Sequence, residues 1–528
     1  MAERDSITIE EREQTRPSAF WEQPAFLILV VLATAVPLLW PAIPPLTDLP
    51  GHVASYHIAQ ALHNSPDLQR YYDFHWQLAG NLGVDLLAVP MGKLFGIELG
   101  TKLIIIAIPM LLAAGFLGVA HELHGRIPPT AFFALPLTYH YAFQFGFLNF
   151  SLSAALCFLA FWLWLRLGRL EQRRLRAALF LPLACAIWVT HIYGWGMLGI
   201  LVFAAQAAER RERGVGWFKA LLLGGLDCAP LVLPFLLMAI WRSGNVADGM
   251  VDFFNWDHKV MWLISFLRER WRAWDVAGAM LLLGLVGIGM VGRDIRIEPR
   301  AKLAVILLVP IYILLPTVLF GSGYADMRLI AFIVAIGVLG LEPVRPWSPA
   351  VSNGFAAAAL IFVGVRLAMT TVAFTELERS WQHQLAAMDT IAPGSRVLVL
   401  TDVLCEEARW ADDRLDHLSS VAVTRKNVFT NGQWVIAGAL GLDVKYRAGA
   451  PFVVDPSHLM RRPPCPDRTT KIPAAVRTLP GKFDYLWLVG VPSEAWPHDP
   501  HLVPVWQGER GLLLRWASEA KTSATLPR

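Results

Sequence analysis

The chain of 528 residues is 55% hydrophobic and 17% charged, whereas soluble domains carry about 25% charged residues. This composition, with a mean hydropathy of +0.46, argues against a soluble protein and predicts a polytopic α-helical membrane protein. The formal net charge of +4 is explained by Lys and Arg in cytoplasmic loops, so no nucleic-acid partner is expected.

The first 23 residues mix acidic and basic side chains and lack the basic leader and small-residue cleavage site of a signal peptide. They predict a cytoplasmic N-terminal segment, 1–23, followed by an uncleaved anchor. From there on, apolar segments predict about eleven membrane-spanning helices. They lie at 24–44, 101–120, 129–147, 150–166, 178–191, 194–208, 220–241, 276–292, 302–320, 328–342 and 351–370. Because two of these segments are short, 178–208 is also compatible with a tight hairpin.

Basic connections determine the expected orientation, since Lys and Arg concentrate in cytoplasmic loops. The stretches 166–176, 210–219 and 293–302 are basic, which places the N-terminus inside. A long first outer loop, 45–100, and everything after about residue 371 then lie outside. Within this scheme 81–100 is a half-inserted segment, and the basic, Trp-containing stretch 258–275 is an interfacial helix.

The composition changes after residue 374, where Pro, Asp and Arg become frequent. Short apolar runs at 395–403 and 483–491 have the length and composition of strands. We therefore expect a transmembrane domain, 24–374, followed by a C-terminal periplasmic α/β domain, 375–528. In that compartment Cys405 and Cys465 could form a disulfide.

Polar side chains that are uncommon near lipid recur at the outer ends of several predicted helices. Ionisable groups at such positions are costly and tend to mark a site. The set comprises Asp48, His52 and His57 in the first outer loop, Gln144 and Asn149 in the second, His191 in the third, Asp257 and His258 in the fourth, and Tyr324, Asp326 and Arg328 in the fifth. Each also has an ordinary alternative: a loop acid, a core histidine, a helix cap at Asn149, or a snorkelling guanidinium at Arg328.

Three stretches carry a resemblance to a known family: LTDLPGH (46–52), VDLLAVPMGKLFGIELGTKLI (84–104) and YADMRL (324–329). With an Asp directly after the first helix and a soluble domain on the same outer face, the chain resembles the GT-C superfamily of integral-membrane glycosyltransferases, of the kind that use polyprenyl-phosphate-linked sugars. The resemblance implies a multi-pass protein of the bacterial cytoplasmic (inner) membrane. It also implies a glycan, lipid or protein as the acceptor of the sugar.

By the same resemblance Asp48 is the catalytic base, since a carboxylate can take the proton of an acceptor hydroxyl. Arg328 is expected to hold the donor phosphate, because a guanidinium is permanently charged and binds phosphate oxygens in pairs. The remaining residues expected to contact substrate are His52, Asn149, His191, Tyr324 and Asp326.

Many members of the superfamily have a second acidic residue in the second outer loop, where this chain has Gln144 and Asn149. A single carboxylate with neutral partners makes a poor divalent-metal site. No cofactor is therefore demanded by these residues, and a divalent metal ion, with His52 or His191 as a ligand, stays an open alternative.

Two other functions compete with the enzyme: a transporter or flippase of a lipid-linked or polar solute, and a non-catalytic membrane assembly protein. Transporters show paired halves and polar groups near the bilayer midplane, whereas this sequence has no evident repeat and its polar groups lie at one face. An outward cavity surrounded by Asp48, His191 and Arg328 would favour the enzyme.

Overall fold

The computed structural model of the chain describes residues 19–242, 249–319, 322–402, 410–436, 440–453, 455–462 and 465–517. In this part of the chain the α-helices are Pro24–Ala33, Val36–Leu39, Leu49–Ala61, Pro66–Tyr71, Gly83–Phe95, Ile97–His124, Tyr141–Phe145, Leu148–Arg169, Arg173–Thr190, Ile192–Glu212, Trp217–Asp227, Pro234–Arg242, Trp256–Ser265, Arg272–Val291, Pro299–Leu314, Met327–Leu339, Pro349–Leu385, Val421–Lys426, Pro456–Leu459 and Arg468–Thr478.

The strands are short and lie mostly in the C-terminal third. They are β1 (Tyr72–Phe74), β2 (Met250–Val251), β3 (Ile295–Ile297), β4 (Val318–Leu319), β5 (Leu341–Pro343), β6 (Arg396–Thr401), β7 (Phe429–Thr430), β8 (Leu442–Val444), β9 (Arg461–Arg462), β10 (Cys465–Pro466), β11 (Tyr485–Val489), β12 (Leu502–Gly508) and β13 (Gly511–Trp516).

The predicted helical, apolar architecture is confirmed, but the count of about eleven spans is not. Among the described residues, five helices are long and apolar enough to cross a membrane, or six if the bent pair of helices between Trp217 and Trp241 is one span. Two shorter apolar helices, Pro24–Ala33 and Met327–Leu339, add to these.

Prolines interrupt several predicted spans, because proline lacks the backbone N–H and clashes with the preceding turn. The predicted helix 129–147 is instead a 3₁₀ run, Pro129–Tyr139, followed by the short helix Tyr141–Phe145. The predicted helix 220–241 bends by 44° at a break between Asp227 and Ala229, with Pro230 close behind it.

Two other spans are longer than predicted. The segment 178–208 forms two helices, Arg173–Thr190 and Ile192–Glu212, with His191 between them. Ile192–Glu212 is long and apolar enough to cross a membrane, whereas Arg173–Thr190 does not meet that test, so the hairpin alternative stays open. The last apolar helix, Pro349–Leu385, continues beyond residue 370 without a break. It therefore crosses the predicted domain boundary at 374/375, and no flexible linker separates the two parts.

The C-terminal part contains a five-stranded mixed sheet in the order β12-β13-β11-β6-β7. The two strands predicted from sequence, β6 and β11, pair in parallel at its centre, with Val399 opposite Trp487. Both are fully buried apart from Arg396, as expected for parallel strands with both faces covered. The predicted Cys405–Cys465 disulfide lies outside the described residues.

The segment 45–100, which the sequence predicts to be the first outer loop, packs against this C-terminal part. Strand β1 of the loop pairs antiparallel with β8, and the hydroxyl of Tyr71 donates to the carbonyl oxygen of Gly394 at 2.6 Å. Apolar side chains from both segments, including Ile58 and Leu398, share one buried cluster. The loop therefore contacts the C-terminal part on one side and the helices on the other.

A buried polar network joins the two parts on the other side. The carboxylate of Asp275 accepts hydrogen bonds from the guanidinium of Arg366 at 2.6 Å and from the indole N–H of Trp410 at 2.5 Å. Its Oδ2 also accepts from the backbone N–H of Glu269 at 2.8 Å. Buried charges persist only when they are paired in this way.

We expect Arg366→Met to destabilise the protein strongly, since it leaves the Asp275 carboxylate buried without its cation. The free energy of unfolding should fall by about 3 to 5 kcal/mol, read as a lower thermal midpoint in detergent. Arg296→Met is the control: in the Arg296–Glu342 pair the arginine side chain is 56% exposed, and such a pair should contribute about 0 to 1 kcal/mol. Adding Asp275→Asn to Arg366→Met should recover part of the lost stability. Equal thermal midpoints for Arg366→Met and the control Arg296→Met would contradict this assignment.

Candidate active site

Asp48 is held at the start of the helix Leu49–Ala61, but its carboxylate does not cap that helix. Its backbone N–H donates to the carbonyl oxygen of Phe145 at 2.9 Å. Gly146, which follows Phe145, has a φ of +105°, and a Cβ there would lie 2.8 Å from the backbone nitrogen of Asp48. Only glycine permits this close approach, which presses the Asp48 turn against the second outer turn.

The carboxylate of Asp48 faces residues from the C-terminal part. Its Oδ1 lies 3.6 Å from Nε2 of His417, and the same nitrogen lies 3.7 Å from Oδ2 of Asp455. Asp416 is close enough to interact electrostatically with Asp48. All four residues are buried. We call Asp48, Asp416, His417 and Asp455 the carboxylate–histidine cluster.

Burial raises the pKa of Asp48 from its ordinary value of 3.8 to about 7. The nearby His417 acts in the opposite direction, while Asp416 and Asp455 reinforce the rise. Burial by itself lowers the pKa of His417, but the carboxylates of Asp455, Asp48 and Asp416 outweigh it and hold that pKa above its ordinary value. The cluster therefore contains a carboxyl group that changes its protonation near neutral pH.

An aromatic wall closes one side of the cluster. The indole of Trp434 packs against the ring of His417 at 4.4 Å between centroids and against His52 at 5.3 Å. It also lies directly over Gly51, where a Cβ would clash with it. Burial, with a smaller contribution from His417, lowers the pKa of His52 to about 4, so His52 is neutral at physiological pH.

Arg328 lies near the same place, as predicted. It interacts electrostatically with both Asp48 and His191. One guanidinium nitrogen, Nη2, donates to Ser322 Oγ at 3.0 Å and to the carbonyl oxygen of Gly323 at 3.1 Å, and the group lies 4.3 Å over the ring of Phe147. Its Nε is buried and has no hydrogen-bond partner among the described residues.

The structure brings Tyr324 into an aromatic cluster with Phe145, Phe147 and Trp262, at ring distances of 5.4 to 6.5 Å. Asp326, by contrast, is bound by neighbouring groups of the protein. Its Oδ2 accepts from the buried Lys259 ammonium at 3.3 Å and its Oδ1 from its neighbouring backbone N–H at 3.0 Å. Both oxygens thus have protein partners, which leaves the predicted substrate contact of Asp326 without support.

Asn149 and His191 also have structural partners. The amide of Asn149 accepts from the backbone N–H of Val84 at 2.6 Å and donates to Asp85 Oδ2 at 2.8 Å. Asn149 therefore anchors the helix Gly83–Phe95, which is the segment predicted to be half-inserted. His191 accepts from the N–H of Tyr193 through Nδ1 and so caps the helix Ile192–Glu212, and it still lies beside Arg328.

The residues that sequence reasoning missed all come from the C-terminal part: Asp416, His417, Trp434 and Asp455. The pair DH within LDHLSS (415–420) fits an ordinary turn, and RKNVFTNGQW (425–434), which ends at Trp434, fits a turn-rich surface as well as a glycan contact. Only a predicted contact between the first outer loop and the C-terminal part could have found them.

A cavity of about 510 Å³ lies next to the cluster, with Asp416 in its wall. That wall includes none of Asp48, His191 and Arg328, so the structure groups these three residues but does not place them around this cavity. In the part of the chain that the structure describes, no group of three His, Cys, Asp or Glu side chains is arranged to hold a metal ion. A divalent metal ion therefore stays an untested alternative, and we derive no step through one.

Comparison with solved structures identifies the fold. The chain matches the crystal structure of ArnT from Cupriavidus metallidurans bound to undecaprenyl phosphate with a TM-score of 0.50 and 13% identity, covering 94% of this chain and 98% of that one. The chain is similar in fold to a GT-C glycosyltransferase. The apo structure of the same ArnT gives a TM-score of 0.51 and 11% identity, with 93% and 97% covered. No protein-family model and no curated protein matches the sequence.

These matches confirm the GT-C resemblance at the level of the fold. At such low identity they assign no residue roles. They show that the similarity in fold extends over nearly the whole of both chains.

We expect Asn149→Leu to loosen the Gly83–Phe95 helix, because it leaves the Val84 N–H and the Asp85 carboxyl without their partner. Each buried group left unpaired costs about 1 to 3 kcal/mol. Hydrogen exchange should accelerate at the Val84 amide, and the thermal midpoint should fall. Asn64→Leu, at an exposed asparagine of the same loop, is the control; unchanged Val84 exchange in Asn149→Leu would refute the anchoring role.

Proposed function

We propose that the protein is a membrane glycosyltransferase that moves a sugar from a polyprenyl-phosphate donor to an envelope glycan, lipid or protein. The observation that carries this proposal is the buried Asp48 carboxylate, with a pKa near neutrality, close to the Arg328 guanidinium. Support comes from the fold, which is shared with a protein crystallised with undecaprenyl phosphate.

In the proposed reaction Asp48 is the general base. It takes the proton of an acceptor hydroxyl as that oxygen forms its bond to the anomeric carbon of the sugar. The bond between the anomeric carbon and the phosphate oxygen breaks, and the electron pair leaves with the polyprenyl phosphate. A base acts best when its pKa lies near the working pH, which is the property that burial gives Asp48.

Arg328 is the proposed phosphate ligand. Negative charge grows on the phosphate as the donor bond breaks, and a fixed guanidinium stabilises that charge. Its unpartnered Nε leaves a donor for the ligand, whereas Nη2 is held by Ser322 and Gly323. The packing on Phe147 keeps the guanidinium plane in position.

The other predicted residues receive positioning or lining roles in this proposal. His191 and His52 border the reacting groups, and Tyr324 contributes an aromatic surface next to Arg328. Asn149 acts through the Gly83–Phe95 helix, and Asp326 acts through the Met327–Leu339 helix that carries Arg328.

The proposed location is the bacterial inner membrane, with the N-terminus in the cytoplasm and the C-terminal part in the periplasm. The basic connections at 166–176, 210–219 and 293–302 support this orientation. The lipid donor would then approach from the plane of the membrane, and the acceptor from the outer face.

The decisive experiment compares envelope glycans and glycolipids by mass spectrometry in a deletion strain. The strain is complemented with wild type or Asp48→Asn, with equal amounts of protein in the membrane. We expect a sugar to be lost in the deletion, restored by wild type, and not restored by Asp48→Asn, since a general base contributes about 10²- to 10⁴-fold to the rate.

Full restoration by Asp48→Asn would remove Asp48 from the chemistry. Loss of export of an intact lipid-linked or polar solute, with no missing sugar linkage, would favour the transporter. The matched control is Asp67→Asn, a partly exposed carboxyl of the same loop, which should complement like wild type.

The pH dependence of transfer gives an independent test. A base works deprotonated, so activity should rise with pH through about 7. His417 lowers the pKa of Asp48, so His417→Asn should move the rising limb to higher pH and reduce activity more at pH about 6 than at pH about 8.5. The control His63→Asn, at an exposed histidine of the first outer loop, should leave the rising limb of the pH profile unchanged. An unmoved limb in His417→Asn would contradict the pairing of His417 with Asp48.

A further inference from the structure

A group of arginines lies at the end of the helices that is far from the candidate active site. His191, which lies beside Arg328, precedes the helix Ile192–Glu212, whereas Arg210 lies in the last turn of that helix. At 1.5 Å per residue, about 30 Å of helix separates the two ends. The helix Arg173–Thr190 ends at His191, so its first turn lies at the same far end as Arg210.

Three arginines come close together at this end. Arg173 and Arg176 are one turn apart on one helix, and Arg176 interacts electrostatically with both Arg173 and Arg210. We call these three residues the arginine cluster. Like charges at such a spacing repel each other, so a negatively charged partner would stabilise the cluster.

The carboxylates nearest to the cluster already have other partners. Asp227 forms an ion pair with Arg210. The carboxylate of Glu209 accepts a hydrogen bond from Gln206 at 3.3 Å and lies 3.9 Å from the guanidinium of Arg300. Among the described residues, no carboxylate lies at ion-pair distance from the two arginines that begin the Arg173–Thr190 helix. Their positive charge is therefore not balanced within this part of the protein.

Arg176 is held in place by two neighbouring helices. Its guanidinium lies 4.1 Å from the ring centroid of the buried Trp164, which is a cation–π contact. Its Nη2 donates to Gln206 Oε1 at 3.4 Å. Trp164 belongs to the helix Leu148–Arg169 and Gln206 to the helix Ile192–Glu212. A guanidinium has five N–H groups, so Arg176 keeps donors for a ligand while it joins three helices.

Exposed apolar side chains lie beside the cluster. Leu175 and Leu179, on the helix that carries Arg176, are 46% and 40% exposed. Trp217 is 52% exposed, and the guanidinium of Arg211 lies 5.2 Å from the centroid of its ring. In a membrane protein, arginine and tryptophan next to such leucines are typical of the boundary between headgroups and acyl chains. The cluster therefore has the surroundings of a site at headgroup depth.

We propose that the arginine cluster binds the headgroup of an anionic phospholipid. The phosphate oxygens accept charge-assisted hydrogen bonds from Arg173 and Arg176, and the acyl chains lie along Leu175 and Leu179. Basic pockets between membrane helices suit such headgroups. The exposed leucines favour a lipid over a free phosphate ion, because a soluble ion has no apolar chain to place on them.

This site is separate from the proposed function, since about 30 Å of helix lies between the cluster and His191. In the orientation proposed above, the lipid belongs to the cytoplasmic leaflet. By contacting the arginine that joins three helices, it would stabilise their packing at this end. A ligand that binds only the folded protein raises its thermal midpoint, which gives the proposal a second readout.

Binding is tested on the full-length protein in detergent by fluorescence anisotropy. The probes are a labelled phosphatidylglycerol and a labelled phosphatidylcholine with the same acyl chains. We expect the phosphatidylglycerol to bind more tightly and its binding to weaken with rising salt, because screening reduces ion pairing. Unlabelled phosphatidylglycerol should displace the probe, whereas inorganic phosphate at the same concentration should not.

The double variant Arg173→Gln/Arg176→Gln should weaken phosphatidylglycerol binding about tenfold and leave phosphatidylcholine binding unchanged. Arg293→Gln/Arg345→Gln is the matched control, because it removes the same charge from two exposed arginines beside strands β3 and β5 and should bind like wild type. Arg173→Gln alone changes an exposed side chain, keeps the contact between Arg176 and Trp164, and should give a smaller loss in the same direction.

Equal binding of the two lipids would overturn the proposal, and so would an equal loss in the two double variants, since the arginines would then contribute net charge alone. Displacement by inorganic phosphate would also overturn it, because the cluster would then bind a free anion. Phosphatidylglycerol should raise the thermal midpoint of wild type more than that of Arg173→Gln/Arg176→Gln. Circular dichroism without lipid verifies that each variant is folded.

Discussion

The contact between the carboxylate of Asp48 and the imidazole of His417 is the interaction on which the arrangement of the site depends. It joins the first outer loop to the C-terminal part, and it does so in a place where both groups are buried. Two ionisable groups out of water are tolerated only when the surrounding structure holds them at a distance that lets them offset one another's charge. The fold therefore has to supply rigid support on both sides of this contact.

That support comes from three independent directions. The turn at Gly146 presses on the backbone of Asp48, Trp434 packs on both His417 and the helix after Asp48, and Arg414 reaches down to the carbonyl oxygen of Pro45 at 2.7 Å. Arg414 also donates to the buried side chain of Gln144. The C-terminal part thus helps to fix the position of Asp48, the proposed base, and is therefore part of the site.

The sequence was sufficient to predict the membrane class, the two central strands and the residues near the membrane surface that the structure groups together, Asp48, His191 and Arg328. It was insufficient for elements whose form depends on tertiary packing. Residues 129–147 are apolar throughout, so hydropathy could not distinguish a spanning helix from a 3₁₀ run that Pro129 and Pro136 shape and neighbouring helices bury. His417 and Asp455 could not be predicted for a related reason. They contact Asp48 from far away in the chain, and such a contact leaves no local sequence pattern. The ion pair between Asp326 and Lys259 is likewise a long-range contact, so the sequence does not show it.

The helix Pro349–Leu385 has a mechanical consequence. Its 37 residues extend over about 55 Å at 1.5 Å per residue, whereas the hydrocarbon core of a bilayer is about 30 Å thick. The helix is therefore longer than the hydrocarbon core is thick, and the 3₁₀ turn Ala386–Thr390 leads from its end towards strand β6 of the C-terminal sheet. The length of the helix therefore sets the distance between its first turn at Pro349 and the C-terminal sheet, and with it the position of His417. Inserting or deleting one residue in this helix would rotate the sheet by about 100° around the helix axis. The length of the helix therefore also fixes how the C-terminal part is oriented towards Asp48, the proposed catalytic base.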